Sequence, residues 1–175
     1  MKHALPFFIL IVVLPALIGG YSYFIEPHWI ETTQVTVQLD DLPAEFDGLR
    51  IAQISDLHVG PYISEQDIDH VVTLDDRLDP DLIAITGDFI SRSVDNIYAC
   101  ARSLKALRSR LGVYGILGNH DMDNQPDTIT RVLRSAGVEV LRNESQSIRS
   151  GRNQVWLLGV DDLYLEHDDL PAAMV

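Results

Sequence analysis

The sequence contains little cysteine and little positive charge. Its single cysteine, Cys100, excludes an intramolecular disulfide framework and a zinc site built only from cysteines. Lys and Arg number 13 against 26 Asp and Glu, which gives a net charge of −13 at pH 7. Binding to nucleic acid or to an anionic membrane surface needs a basic face, so the charge balance argues against both. We therefore expect no nucleic-acid partner.

Several enzyme fingerprints are also absent from the 175 residues. No G-x-S-x-G nucleophile elbow, Walker phosphate loop or dinucleotide-binding pattern occurs, so nothing supports the enzyme classes that carry them. The apolar residues make up 46% of the chain and are concentrated at its N-terminus. Roughly 145 residues follow that segment, which is enough for one domain with a sizeable core. We place an N-terminal segment at residues 1–30 and one domain at 31–175.

The N-terminal segment resembles a membrane span. Ala4 to Ile25 form 22 positions without a charged side chain. As a helix they would measure about 33 Å, close to the thickness of a bilayer's hydrocarbon core. Lys2 precedes the span and acids such as Glu26 and Glu31 follow it. This pattern predicts a single-pass anchor in the cell membrane, with the N-terminus inside and the domain outside the cytoplasm.

Two alternatives to an uncleaved anchor stay open. A cleaved signal peptide usually has a shorter apolar core and an A-x-A-like site, and the small residues Ala16, Gly19 and Gly20 form no clean site. The segment would also suit a buried core helix. An anchor is the interpretation that the length favours.

Strands and helices are predicted to alternate from Arg50 to Leu141, which is the pattern of an α/β domain with a mainly parallel sheet. The predicted strands are Gln34–Leu39, Arg50–Ser55, Leu82–Thr86, Val113–Leu117 and Val138–Leu141; the predicted helices are Ser64–Leu78, Val94–Leu111 and Thr128–Ala136. Ile148–Arg149 and Gln154–Val160 are predicted to pair as a hairpin, and Asp168 and Asp169 to begin another helix.

Three polar motifs follow the predicted strands. They are D-L-H at 56–58, G-D at 87–88 and G-N-H-D at 118–121. Ligands of open α/β sheets bind at the carboxyl ends of the strands, where neighbouring parallel strands would bring these side chains into one crevice. The common alternative is that Asp and Asn simply cap turns, but three motifs in corresponding places favour a shared site.

The side chains of these motifs suit a metal site. If the strand conformation persists, Asp56 and His58 point to the same face and converge on one ion. Asp88 follows a glycine and suits a bridging position between two ions, while Asn119 offers a neutral amide oxygen. Nitrogen and oxygen ligands without thiolate favour Mn²⁺, Fe or Zn²⁺. His120 could instead transfer protons.

The ordered series D-x-H, G-D and G-N-H-D resembles the calcineurin-like metallophosphoesterases. The anchor and the stretch from residue 31 to 60 are similar to the bacterial membrane-associated branch, which includes UDP-2,3-diacylglucosamine pyrophosphatases of lipid A synthesis. The resemblance covers roughly Gln34 to Asp162. It implies a four-layer α-β-β-α sandwich, of which this chain would supply the N-terminal portion.

The resemblance also implies a dinuclear metal centre. Asp56 and His58 would bind the first divalent ion, Asp88 would bridge both ions, and Asn119 would bind the second. The centre would activate water for attack on a phosphodiester or pyrophosphate. A lipid-linked substrate is a hypothesis that an anchor suggests, although a lipid A precursor would require the domain on the cytoplasmic face.

The same resemblance assigns the catalytic role to His120 and Asp121. His120 would contact the phosphate and protonate or stabilise the leaving group, and Asp121 would be its partner. An HD-type phosphohydrolase is disfavoured, because its His-Asp pair lies on helices whereas this pair follows Gly-Asn at a strand end. Arg92 could reach a phosphate or simply lie on the surface, and His70 is expected on the surface.

The sequence departs from the family pattern after residue 160. The pattern continues with a further His and a G-H-x-H motif, and neither occurs before Val175. His167 lies in the acidic stretch LEHDD and matches neither motif. We therefore expect a domain that lacks its C-terminal part. The alternative function is an anchored metal-binding fragment with little turnover.

Overall fold

The computed structural model describes residues 9–174, which fall into two compact units. The first unit is Met1–Thr36 and the second is Val37–Val175. The sequence placed this division six residues earlier, after residue 30. Residues 4–8 of the predicted apolar span lie outside the described residues.

The described part of the first unit is an apolar helical run. A π-helix over Ile9–Val13 leads into helix α1, Leu14–Phe24, and a 3-10 turn follows over Glu26–His28. Pro15 is the second residue of α1, directly after the π-helix, and prolines and π-turns are common places for a helix to kink. Leu10–His28 is long and apolar enough to cross a membrane, but a signal sequence would pass the same test. The anchor therefore stays a prediction.

The predicted strand Gln34–Leu39 is wrong. Residues 31–39 have no regular secondary structure. The apolar side chains of its alternating pattern are exposed, at 80% for Val35, 72% for Val37 and 62% for Leu39. A strand needs a neighbour to pair its backbone N–H and C=O groups, and among the described residues no strand pairs with this segment. The alternation alone could not supply that neighbour.

The second unit is built on a four-stranded parallel sheet. Its strands are β1, Ile51–Ile54; β2, Leu82–Ile85; β3, Val113–Gly115; and β4, Glu139–Val140. They lie in the order β1-β2-β3-β4, so each consecutive strand pairs with the next. The predicted α/β class with a parallel sheet is confirmed. Consecutive order also places the carboxyl ends of the strands side by side along one edge.

A hairpin forms a second, antiparallel sheet. Strand β5, Glu144–Ser150, pairs with β6, Asn153–Gly159, and Ser150 faces Asn153 across a two-residue turn. Gly151 takes the left-handed conformation in that turn, with φ 59°. The predicted hairpin is confirmed; β5 is longer than the predicted Ile148–Arg149, whereas β6 has the predicted length and lies one residue earlier than Gln154–Val160. Its inward side chain Ile148 packs in a small apolar cluster with Leu82 of β2.

The second unit has five α-helices among the described residues. They are α2, Glu65–Leu78; α3, Asn96–Leu104; α4, Asn119–Met122; α5, Pro126–Ser135; and α6, Leu170–Ala173. The predicted cap of α2 is confirmed, since the Ser64 N–H donates to the Asp67 carboxylate at 2.7 Å. The predicted helix beginning near Asp169 is α6, where the Asp169 carboxylate accepts the Ala172 N–H at 2.9 Å.

Helix α3 is shorter than the apolar spacing predicts, because it ends at Leu104 and not at Leu111. The next turns tighten to hydrogen bonds three residues apart, such as Leu107 N–H to the Leu104 carbonyl. The Leu111 N–H then donates to the Asp81 carbonyl at 2.8 Å, which places the chain for the start of β3. A longer helix would lose this alignment of β3 with β2.

The main core lies between the helices and the parallel sheet. Fully buried members include Ile68, Ile83, Ile85, Phe89, Ile97, Cys100, Leu104, Ile129, Leu133 and Val140. Cys100 is a core side chain, as predicted, and burial raises the pKa of its thiol. A thiol that stays protonated and enclosed is unreactive, so Cys100 belongs to the packing.

Asp75 is an exception within this core. It lies on the buried face of α2 with Ile68 and Val72, and it is only 3% exposed. Neither carboxylate oxygen has a hydrogen-bond partner. Burial raises the pKa of Asp75 to about 6, and the charge of Asp76 adds to the rise. The ionised side chain therefore destabilises the fold at neutral pH.

We expect Asp75→Asn to stabilise the protein as the pH rises. Because the folded state binds this proton more tightly, wild-type stability falls between about pH 4 and pH 6, whereas the neutral amide is unaffected. Asparagine should raise the free energy of unfolding by about 1–3 kcal/mol near pH 8, and by roughly 1 kcal/mol less near pH 5. Urea unfolding of the full chain in mild detergent measures this difference. The control Asp69→Asn alters an exposed carboxylate of the same helix, and an equal gain there would contradict the assignment.

Candidate metal centre

Each motif follows the carboxyl end of a different strand. Residues 56–58 follow β1, residues 87–88 follow β2, and residues 118–121 follow β3 and open the short helix α4. Since β1, β2 and β3 are consecutive neighbours in the sheet, the three loops meet at one edge. The Asp56 N–H donates to the Gly87 carbonyl and the His58 N–H to the Asp88 carbonyl, at 3.2 and 2.8 Å. These bonds hold the first loop against the second.

Four side chains converge at this edge. His58 Nε2 lies 3.4 Å from an Asp56 carboxylate oxygen and 3.6 Å from an Asp88 oxygen. The rings of His58 and His120 meet edge to face, with centroids 4.9 Å apart. Potential ligand atoms of His58, Asp88 and His120 all lie within 4.8 Å of one another. His58, Asp88 and His120 are thus close enough together to hold an ion, and Asp56 lies beside His58.

The first two motif residues converge for a reason that differs from the predicted one. Strand β1 ends at Ile54, so strand alternation cannot direct Asp56 and His58. Both residues instead have left-handed backbones, with φ 56° and 45°, and Asp88 has φ 54°. Non-glycine residues rarely adopt this conformation, which costs of order 1–3 kcal/mol each and tends to occur at functional sites. Three such residues in one crevice indicate a site whose geometry is imposed by the fold.

Two glycines allow the second and third loops to touch. A Cβ atom on Gly87 would lie 2.5 Å from the Gly118 nitrogen, and one on Gly118 would overlap the Asp88 carboxylate. Gly87 also has φ 97°, which disfavours other residues. Only glycine therefore permits this approach of the loops, and it brings Asp88 beside α4.

Helix α4 begins with Asn119 and His120, and the backbone of His120 contacts Asp88. The His120 N–H donates to an Asp88 oxygen at 3.0 Å, and the Asn124 amide donates to the His120 carbonyl at 2.8 Å. Among the described residues, no hydrogen bond involves the Asn119 side chain. Asn119 is the first residue of the helix, beside the Gly118 that touches Asp88.

Asp121 does not pair with the His120 side chain, contrary to the predicted partnership. Its carboxylate is fully buried and accepts hydrogen bonds from the backbone N–H groups of Phe89, Ile90 and Gly118, at 3.0–3.3 Å. Burial raises the pKa of Asp121 to about 6, although these three N–H groups lower it. The side chain thus ties the loop after β2 to the start of α4.

The crevice is open to solvent on the side of the first motif. The exposed fraction of the side chain is 65% for Asp56, 33% for His58 and 13% for Asp88. Exposure thus decreases from Asp56 to Asp88, so an ion or a phosphate can enter the crevice from the side of Asp56. The donor set fits a borderline or hard divalent ion, since it combines carboxylate and imidazole without thiolate.

Sequence reasoning missed one supporting residue, Ser55, and His167 lies outside the cluster of His58, Asp88 and His120. The Ser55 hydroxyl donates to the second Asp56 oxygen at 2.6 Å and so orients that carboxylate. A serine at the end of a strand carries no signal of this role. His167 lies exposed, and its carbonyl accepts a hydrogen bond from the Asn143 amide at 2.9 Å.

Comparison with known protein families decides the relationship. The family model of the calcineurin-like phosphoesterases matches residues 49–170, most of the second unit. This chain belongs to that family. The matched range contains every motif of the crevice, so the resemblance inferred from the motifs is confirmed.

The chain has relatives in bacteria and animals. It is 34% identical to the uncharacterized metallophosphoesterase YkuE of Bacillus subtilis, over 86% of this chain and 55% of that protein. It is 31% identical to the UDP-2,3-diacylglucosamine pyrophosphatase LpxG of Chlamydia muridarum, over 76% and 44%. A transmembrane protein with metallophosphoesterase domain from Danio rerio is 29% identical, over 89% and 36%.

The chain thus spans from about a third to just over half of the length of these relatives. No solved structure matches the chain significantly.

Proposed function

We propose that this phosphoesterase hydrolyses a phosphodiester or a pyrophosphate with the help of divalent metal ions. The observation that carries the proposal is the convergence of Asp56, His58, Asp88 and His120 at the carboxyl edge of the sheet. When bound, two divalent ions would lower the pKa of a water molecule and offset the charge of the phosphate. Mn²⁺, Fe and Zn²⁺ suit the donor set.

The proposed ligand roles are those that the family resemblance implies. Asp56 and His58 would hold the first ion at the open side of the crevice, and the largely buried Asp88 would contact both ions. Asn119 would hold the second ion. Strained backbones at the first three residues fix these side chains before an ion arrives, so little ordering entropy would be lost on binding.

His120 is the proposed general acid. Its ring lies against that of His58, while its backbone N–H is held by the Asp88 carboxylate. The imidazole could therefore reach a phosphate beside the ions and donate a proton to the leaving oxygen. Asp121 would act as a positioning residue, because it holds the start of α4 and does not contact the ring.

For the substrate, we propose a lipid-linked or nucleotide-sugar-lipid phosphate. A relative is named as a UDP-2,3-diacylglucosamine pyrophosphatase, and another as a transmembrane protein. The apolar helix Leu10–His28 would keep the crevice near a membrane surface. Charge asymmetry favours a domain outside the cytoplasm, whereas a lipid A precursor would need it inside.

The direct test is hydrolysis of bis(p-nitrophenyl) phosphate by the full chain with Mn²⁺. His120→Ala is expected to lower kcat by about 100-fold to 10,000-fold, the range of general acid catalysis, with Mn²⁺ binding largely retained. The matched control is His70→Ala, which removes an exposed histidine of α2. Equal loss in both variants would contradict the role of His120. Mn²⁺ binding without any wild-type hydrolysis would favour the alternative of a metal-binding fragment.

A further inference from the structure

Helix α4 is too short to hold itself in place. It has four residues, and a single helical turn is unstable without tertiary contacts. The Asp121 carboxylate anchors its first turn through the Gly118 N–H at 3.1 Å. Its last residue, Met122, is partly buried against the main core. The orientation of Asn119 and His120 depends on both ends of this turn.

Arg142 supplies a contact at the far end. Its Nη2 lies 3.8 Å from the Met122 sulfur. Arg142 follows β4 and Leu141, whose N–H donates to the Gly115 carbonyl of β3 at 2.9 Å. The guanidinium therefore emerges at the same edge of the sheet as the metal-centre loops, one strand beyond the loop that leads into α4.

Every nitrogen of this guanidinium has a partner. Nε and Nη2 reach the Asp161 carboxylate at 3.1 and 3.0 Å, and Nη1 reaches Asp127 at 3.1 Å. Asp161 is 5% exposed, so one carboxylate of the group is almost fully removed from water. The planar fork of arginine fixes several partners in one geometry, which the point charge of lysine cannot do. Arg142 thus joins α4, the start of α5 and the segment after β6.

The residue next to Arg142 strengthens this junction. The Asn143 side chain accepts the N–H groups of Asp161 and Asp169 at 3.0 and 2.9 Å, and it donates to the His167 carbonyl at 2.9 Å. Asn143 has φ 54°, so its own backbone is held in an uncommon conformation. The segment carrying Asp161 is therefore fixed independently of the guanidinium.

We propose that Arg142 is a positioning residue that sets the orientation of α4, and through it the side chains of Asn119 and His120. It does not touch the proposed ligands itself, and its charge is already satisfied by Asp127 and Asp161. The proposal rests on the proposed function in one respect, since it concerns Asn119 as a ligand and His120 as an acid.

Amide hydrogen exchange of the metal-free full chain in detergent micelles tests the coupling. Arg142→Met is expected to speed exchange of the His120 N–H, which the Asp88 carboxylate protects, by about tenfold relative to the Thr86 N–H between β1 and β2. The control Arg110→Met removes an ion pair with Asp81 beside the N-terminal end of β2, and should change this ratio less than about twofold. Equal ratios in the two variants would overturn the proposal.

A second variant and a second readout separate positioning from general stability. Arg142→Lys retains the charge and should give a ratio of His120 to Thr86 exchange rates between those of the wild type and Arg142→Met. If Arg142→Met does not fold, the exchange ratio of Arg142→Lys tests the proposal. Co²⁺ binding is followed by visible absorption. In Arg142→Met the Co²⁺ affinity of the weaker binding step should fall by about 10-fold to 100-fold, and the affinity of the tighter step should not change. Equal weakening of both steps would overturn the proposal. Failure of the wild type to bind Co²⁺ would instead refute the proposed function, and the exchange ratio would still decide the coupling.

Discussion

Asp88→Asn is expected to abolish tight Mn²⁺ binding and to lower kcat by at least about 1000-fold, which corresponds to roughly 4 kcal/mol of transition-state stabilisation. Asp88 is central to the crevice: one carboxylate oxygen lies 3.6 Å from His58 Nε2, and the other accepts the His120 N–H at 3.0 Å. Asparagine has nearly the same shape and keeps an acceptor for that N–H. The substitution therefore removes charge from the proposed bridging position while the fold is retained.

Calorimetric titration with Mn²⁺ and hydrolysis of the aryl phosphodiester measure the two effects. The matched control is Asp123→Asn, which removes one exposed carboxylate two residues beyond Asp121 and leaves the crevice side chains in place. It should bind Mn²⁺ and turn over within about twofold of the wild type, because exposed charges contribute little. Wild-type affinity and activity in Asp88→Asn would refute the proposed centre.

Asp121→Ala is expected to lower the free energy of unfolding by about 3–5 kcal/mol. The carboxylate is fully buried and satisfies the N–H groups of Phe89, Ile90 and Gly118. Alanine leaves these three donors without that acceptor, and a buried unsatisfied donor costs about 1–3 kcal/mol. A cavity in place of the carboxylate adds to the loss.

Urea unfolding of the full chain in detergent gives the stability of Asp121→Ala. The control Asp123→Ala changes the same residue type at an exposed position near the end of the same helix, and should alter stability by less than about 0.5 kcal/mol. Similar stability of the two variants would show that Asp121 does not hold the loops together. A catalytic defect without loss of stability would instead support the partnership with His120 that the sequence suggested.

The residues of the crevice could be predicted from the sequence, because they depend on local patterns of residue type. Apolar runs such as LIAIT can form only buried strands or helices, and their length and turn residues favour strands. Polar motifs at the ends of such strands must meet at one edge if the sheet is parallel and the strands are consecutive. Asp56, Asp88 and His120 could therefore be grouped without coordinates.

The contacts within the crevice could not be predicted from the sequence in the same way. Strand alternation predicted that Asp56 and His58 share a face, but both are directed by left-handed backbones that hydrogen bonds to the next loop maintain. Asp121 was paired with its sequence neighbour, whereas two of its three partners, Phe89 and Ile90, lie about thirty positions earlier. A pattern of residues adjacent in sequence cannot predict hydrogen bonds to a distant segment.

The sequence by itself determined the α/β class, the strands that carry the motifs and the family to which the chain belongs. These features depend on periodicity and on residue types at strand ends, both of which are local. Only the tertiary structure decided that residues 34–39 form no strand, that Asp75 lies buried without a partner, and that Arg142 reaches α4. Each of these depends on which distant segments become neighbours, because a strand, a buried charge or an anchored helix is defined by what packs against it.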